Sequence, residues 1–190
     1  MQIRIYDLIE KSRANGPGIR FAIYFQGCQF KCLGCINPQT HDINAGLLTS
    51  TEAIIEAIYN RKDEIEGVTF TGGEPLLQLK PLFEICRTVK KWNLTVLLST
   101  GFETEELEKQ PNLFSILTQN FDVIISGRFH HKEYIGTGMV GSANKRIILN
   151  STKYCANDII NPIKMEIEVT PHGIRVAGTG INGIIDWSTF

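Results

Sequence analysis

Gly27-Cys28-Gln29-Phe30-Lys31-Cys32-Leu33-Gly34-Cys35 sets three thiols within eight residues, in the spacing C-x3-C-x2-C. A structural zinc site takes four ligands in a tetrahedron. A cubane iron–sulfur cluster has four irons, each needing an outer ligand. Three thiolates serve three of those irons and leave the fourth open to a substrate or cosubstrate, so an incomplete ligand set is itself a catalytic signal. Spacing alone also fits a zinc knuckle completed by His41, or thiols that are merely neighbours.

A second stretch bears on that choice. Thr71-Gly72-Gly73-Glu74-Pro75 ends the apolar run Val68-Thr69-Phe70. Gly72 and Gly73 remove side chains where the backbone must approach a ligand. Their carbonyl oxygens and the Glu74 carboxylate can receive an ammonium group, more strongly where the acceptor is charged. A lone GGEP is only a strand-to-helix turn. Beside the cysteine triad, the pair of motifs resembles the radical S-adenosylmethionine (SAM) superfamily. The resemblance implies that Cys28, Cys32 and Cys35 hold a 4Fe-4S cluster with one open iron and carry the catalysis. It implies that Gly72, Gly73 and Glu74 contact the SAM amino group. It also implies an oxidoreductase in which a reduced cluster splits SAM to methionine and a 5′-deoxyadenosyl radical, while the protein supplies orientation and excludes water.

The chain has 190 residues, 43% hydrophobic and 21% charged, as in an ordinary soluble globular protein with a real core. Its net charge of −1 gives no reason to expect nucleic acid or an anionic membrane as partner. The N-terminus shows no signal-peptide pattern, and no apolar run approaches the ~18 residues of a membrane span. Five cysteines, three of them clustered, are not a disulfide framework. These features suggest a cytoplasmic protein. Cys86 lies in a helical apolar stripe and reads as core; Cys155 lies in a polar stretch without an assignable role.

Strands are expected near Ile3–Leu8, Ile19–Gln26, Val68–Thr71, Leu94–Ser99, Asp122–Ser126 and Arg146–Leu149. Asn15-Gly16-Pro17-Gly18 reads as a tight turn. Thr49-Ser50-Thr51-Glu52 has a capping-box pattern opening a helix with Ile54, Ile55, Ile58 and Tyr59 on one side. Leu82, Phe83, Cys86, Val89 and Trp92 step at helical spacing. A helix near Thr104–Lys109 is interrupted by Pro111, and another runs Asn112–Gln119. Lys164–Thr170 and Ile174–Ala177 flank Pro171-His172-Gly173, a hairpin signal. Alternating strands and helices predict an α/β fold of parallel βαβ units. About six units fit, too few for a closed eight-strand barrel, which takes ~250 residues. The expectation is an open partial (β/α) barrel with a small C-terminal β-hairpin: one domain over 1–190, core about 3–150, hairpin and tail about 164–190. Ligands then lie at the C-terminal strand ends. Ser99-Thr100-Gly101 falls on that rim, where its hydroxyls can bond the SAM ribose or carboxylate, or simply cap a turn. Phe30 and Leu33 are placed to shield a cluster. Lys31 reads either as an offset to cluster charge or as a solvated loop lysine. His130 and His131 read as surface residues.

Within the superfamily the chain resembles the small activating proteins of anaerobic (class III) ribonucleotide reductase. The resembling pieces are Gly16-Pro17-Gly18-Ile19-Arg20, Gln26-Gly27-Cys28, Cys32 through Thr40, Thr71 through Leu76, Ser99-Thr100-Gly101-Phe102, Asp122 with Gly127-Arg128-Phe129, and Gly141-Ser142-Ala143-Asn144-Lys145-Arg146. The resemblance implies a glycyl-radical partner protein, the reductase itself, and a low-potential electron donor such as flavodoxin or ferredoxin. A short chain with an incomplete barrel suits a mouth open to a loop of another protein. The family often has Asp where this chain has Ser126, an aromatic or His at Ile36, and Gln at Lys145; these departures bear on the partner more than on the SAM chemistry. Arg146 reads as a ligand for the SAM carboxylate, a partner contact or a plain surface residue. Two other enzyme readings stay open. One is activation of a different glycyl-radical enzyme. The other is a small-molecule radical SAM enzyme such as the queuosine-pathway ring-contracting synthase, with Thr40 as a magnesium ligand. A zinc-binding interaction module is the reading without catalysis.

Overall fold

The computed structural model describes residues 1–136, 138–160, 163, 165–170 and 173–178. Seven strands, β1 (Gln2–Ser12), β2 (Arg20–Phe25), β3 (Leu47–Ser50), β4 (Gly67–Gly72), β5 (Thr95–Thr100), β6 (Val123–Ser126) and β7 (Arg146–Leu149), form one sheet in the order β3-β1-β2-β4-β5-β6-β7. The inner strands β2, β4, β5 and β6 run parallel, while β1, β3 and β7 pair antiparallel. Helices α1 (Thr51–Tyr59), α2 (Leu79–Lys90), α3 (Thr104–Glu108) and α4 (Pro111–Asn120) fill the crossovers, and α5 (Ala156–Ile160) follows β7. β8 (Glu166–Thr170) and β9 (Gly173–Ala177) make a separate antiparallel hairpin. β3 and β7 stand at opposite ends of the sheet, so the barrel is open, as expected from a chain with too few units to close one.

The parallel strands are buried on both faces, and successive side chains alternate between them. Phe21, Ile23, Phe25, Val68, Phe70, Val96, Leu98 and Ile124 face the helices in the main core with Ile54, Ile58, Leu82, Ile85 and Leu117. On the concave face, Leu97, Val123 and Ile125 pack with Val140 and Ile159. Ala22 and Tyr24 pack with Ile9, Ala14 and Ala177. Ala177 therefore brings the hairpin against the concave face near β1 and β2, and Ser12 Oγ donates to Glu166 Oε2 (2.7 Å).

The N-terminal end of the parallel sheet is plugged by Arg20, which is fully buried. Its guanidinium donates to Thr69 Oγ1 (2.7 Å), the Val68 carbonyl (2.8 Å), Thr95 Oγ1 (3.0 Å) and Tyr154 Oη (3.2 Å). One side chain thus ties β2, β4 and β5 together below the concave face.

Several elements differ from expectation. β3 carries Leu47 and Leu48 exposed on an edge, so it lacks the apolar alternation that marks a half-buried strand. β1 runs on to Ser12 through polar residues. Ser50, not Thr49, caps α1, accepting from the Ala53 N–H (3.1 Å), and Glu52 turns to the N-terminal ammonium (2.8 Å) instead of closing a capping box. Pro111 opens α4 at its first turn, where a missing N–H costs nothing. The hairpin turn residues Pro171 and His172, Lys164 and the tail 179–190 lie outside the described residues. Among the described residues no helix is long and apolar enough to cross a membrane.

Candidate functional site

Each inner parallel strand runs into a glycine at its C-terminal end: Gly27 just after β2, Gly72 and Gly73 at β4, Gly101 after β5 and Gly127 after β6. Parallel strands put these ends on one rim. Gly73 is required by contact alone: a Cβ there would lie 2.3 Å from the Gly27 carbonyl oxygen. The Gly73 N–H bonds the Phe25 carbonyl and the Glu74 N–H bonds that of Gly27, both at 2.8 Å. The GGEP turn is thereby stitched to the start of the cysteine loop.

That loop leaves β2 and returns through Gly27 N–H to the Thr40 carbonyl (2.8 Å) and Cys28 N–H to that of His41 (3.2 Å). Lys31 and Gly34 take positive φ, 47° and 71°, which curls the chain between the cysteines. Phe30 anchors the loop to the β5 end. Its ring meets Phe102 edge-on at 5.0 Å, the Arg128 guanidinium lies 4.5 Å over it, and a Cβ at Gly101 would strike it. Leu33, by contrast, is 83% exposed and shields nothing.

Cys28, Cys32 and Cys35 line one cavity of about 690 Å³, with Gly72, Gly73, Ser99, Thr100 and Gly101 in its wall. Burial pushes the Cys28 and Cys35 thiols up, while backbone N–H groups of Phe30 and Lys31 at the first sulfur, and of Asn37 at the second, pull the other way. In the absence of metal these groups stay protonated at neutral pH, and metal binding would release their protons. Among the described residues no three His, Cys, Asp or Glu side chains converge on the position of a single metal ion. The three thiols share one cavity, and thiolates are the ligands that a 4Fe-4S cluster takes. The residues fit a 4Fe-4S cluster.

Other residues of the rim divide into those facing the cavity and those holding it. Glu74 is fully buried and does not line the cavity. Its Oε1 accepts from the Leu76 N–H (2.9 Å) and Thr100 Oγ1 (2.8 Å), and its Oε2 accepts from the Gly101 N–H (2.7 Å). Its carboxylate clamps the β5 end to the β4 end. Thr100 spends its hydroxyl on that clamp; Ser99 lines the cavity with its hydroxyl unpartnered among the described residues. His41 lines the cavity too, its Nε2 buried without a hydrogen-bond partner. Thr40 Oγ1 donates to the Asn37 carbonyl (2.7 Å), so it braces the loop.

Sequence reasoning missed the far end of the cavity, where Tyr6, Asp7, Asn15 and Tyr24 gather and Tyr24 Oη donates to Asn15 Oδ1 (2.8 Å). The alternation of β2 carries a signal for Tyr24, since it puts Ala22 and Tyr24 on one face. It missed Lys145 as a cavity residue as well. Lys31 is exposed and away from the cavity. Ser126 is buried against Thr104 Oγ1. His130 pairs with Glu133 on the surface (2.9 Å), and Arg146 with Glu105 (3.1 Å). Cys86 is a core residue, its thiol pushed up to about 12 by burial, and Cys155 is exposed.

Pyruvate formate-lyase 1-activating enzyme of Escherichia coli (strain K12) is 30% identical over 159 residues, covering 81% of this chain and 63% of the relative. The pyruvate formate-lyase-activating enzyme of Clostridium pasteurianum is 33% identical over 102 residues, 52% of this chain and 43% of the relative. That of Listeria monocytogenes serovar 1/2a is 36% identical over 85 residues, 43% of this chain and 34% of the relative. The chain thus spans less than two thirds of the length of each. A family model described as a 4Fe-4S single cluster domain matches residues 14–148, a span holding the cysteine loop, every glycine of the rim and Lys145. With three thiols in one cavity on that matched segment, the chain belongs to the 4Fe-4S single cluster domain family.

Proposed function

We propose that this chain is a radical SAM activase that installs a glycyl radical in a partner enzyme, an anaerobic ribonucleotide reductase. In this reading residues 1–190 act as one catalytic domain in the cytoplasm. Cys28, Cys32 and Cys35 hold the 4Fe-4S cluster, and SAM occupies the adjoining rim. The observation that carries it is the junction of the cysteine loop with the Gly72–Gly73 turn in one cavity. When bound, the cluster supplies the low-potential electron, from a flavodoxin or ferredoxin, that cleaves SAM to methionine and a 5′-deoxyadenosyl radical.

The chain's own residues position and exclude. The Gly72 and Gly73 backbone, bare of side chains, receives the SAM ammonium. Ser99 offers its free hydroxyl to the same molecule. Glu74 acts through Thr100 and Gly101, fixing the β5 strand end on which SAM lies. Phe30, packed on Phe102, keeps water from the cluster side. The far end of the cavity, toward Tyr24 and Asn15, leaves room for a peptide loop presenting its glycine.

The Asn37-Pro38 run and Gly141 through Arg146 support the reductase as partner. Similarity to pyruvate formate-lyase-activating enzymes favours a second acceptor, pyruvate formate-lyase. One anaerobic experiment separates them. Reconstituted protein, reductant and SAM are mixed with either acceptor, and electron paramagnetic resonance is recorded with deoxyadenosine measured in parallel. A glycyl-radical doublet on the reductase alone is the expected outcome. A doublet on the lyase alone replaces the partner. Absence of SAM-dependent deoxyadenosine overturns the activase reading.

A further inference from the structure

Lys145 immediately precedes β7 and reaches the rim from the outer side of β6. Pairing of Ser126 with Arg146 sets it beside Gly127. A Cβ at Gly127 would lie 3.4 Å from both Cα and Cγ of Lys145, so the glycine leaves a bed for the lysine stem across the strand end. Lys145 lines the cavity with Cys28, Cys32 and Cys35, and among the described residues it is the only lysine or arginine that does so. Cys32, Cys35, Glu74 and Glu103 are among the charged or chargeable groups that act on it. Neither carboxylate pairs with it: Glu74 is held by Leu76, Thr100 and Gly101, and Glu103 faces Arg128 at 3.5 Å. Among the described residues Lys145 forms no ion pair.

We infer that Lys145 is the counter-charge of the three-cysteine site, its ammonium favouring the one-electron-reduced state of a cluster bound there. The inference rests on the cluster assignment under Proposed function. Three thiolates bring three negative charges into a partly enclosed cavity, and reduction adds another. A fixed positive charge close by stabilises the more negative state more, and does so strongly where water is scarce. Reduction potentials of iron–sulfur clusters follow net charge in this way. Lys145 is a positioning residue for charge and need touch neither SAM nor partner.

The test uses full-length wild type, Lys145→Gln, Lys145→Met and Lys145→Arg, each reconstituted anaerobically with iron and sulfide. Iron content is measured first, then the reduced fraction against potential by electron paramagnetic resonance. At a fixed potential the Gln and Met variants are expected to show a reduced-to-oxidised ratio roughly tenfold lower, equivalent to 59 mV for one electron. The Arg variant should follow wild type. Equal ratios in all four proteins overturn the inference and leave the cluster assignment standing. Parallel shifts in Met and Arg mean that packing, not charge, is responsible, and also overturn it. If the Met variant takes up no iron, the Arg variant decides: uptake supports the charge, failure defeats it. A wild type that binds no cluster removes both the inference and the functional reading.

Discussion

Glu74 stands between two strand ends with both oxygens engaged, and its ionisation is coupled to the shape of the rim. Burial pushes its carboxyl up to about 7, against the pull of the Leu76 and Gly101 N–H groups and the Thr100 hydroxyl. An acid whose native value lies above its unfolded value binds a proton in the folded state that the unfolded chain has released. Stability contributed by protonated Glu74 is therefore full below about pH 4.5 and is lost as pH rises to about 7. A rise from 4.5 to about 7 corresponds to about 3 kcal/mol. Glu74→Gln cannot titrate, so the stability of wild type relative to this variant should fall by roughly that amount across the window. Urea unfolding of the cluster-free proteins at several pH values from 4.5 to 8 measures it. Parallel pH profiles for the two would show that Glu74 keeps its charge throughout the window.

At the scale of elements, the inner parallel strands have unlike ends. Their C-terminal ends run into glycines, where the backbone must come close to a ligand or to the cysteine loop. Their N-terminal ends are held by Arg20, a buried charge bonded to neutral oxygens of β4, β5 and Tyr154. Arg20→Met keeps volume but removes the donors to the Thr69 and Thr95 hydroxyls and to the Val68 carbonyl. Hydrogen bonds to charged groups contribute about 1.5–3 kcal/mol each, so a loss of at least ~3 kcal/mol is expected in urea unfolding, with iron uptake retained if the native fold is populated. A variant as stable as wild type would show that the plug is dispensable. The strands themselves were legible because runs such as Phe21–Phe25 and Val96–Leu98 are apolar on both faces and have a glycine close behind them. β3 was not, because an exposed edge segment of four residues carries no periodic signal. The cysteines were legible because their spacing is local. Lys145 was not, since its place in the cavity depends on the β6–β7 register; for Glu74, sequence places a carboxylate beside the rim but not the direction it takes.

Across the whole molecule, the groups that hold the fold and the groups that would hold the cofactor are largely separate. The main core lies between sheet and helices, built from residues such as Phe21, Phe70, Leu82 and Ile124 that are fully buried. The cysteine loop lies on the opposite side of the strand ends, and its three cysteines are only partly buried. Between Cys28 and Cys35 the Cys35 N–H bonds the Cys32 carbonyl (3.1 Å), and the Phe30 ring packs on Phe102. Local opening follows the density of buried contacts and protected hydrogen bonds. Removing a bound cluster with chelator should accordingly leave the sheet folded and loosen the loop. Hydrogen exchange before and after chelation is expected to show faster exchange at amides 28–36 and unchanged protection in Phe21–Phe25, Val68–Phe70 and Val96–Leu98. Loss of protection in those strands together with the loop would mean that cluster and sheet form one cooperative unit, and that metal binding energy is part of the folding energy of this chain.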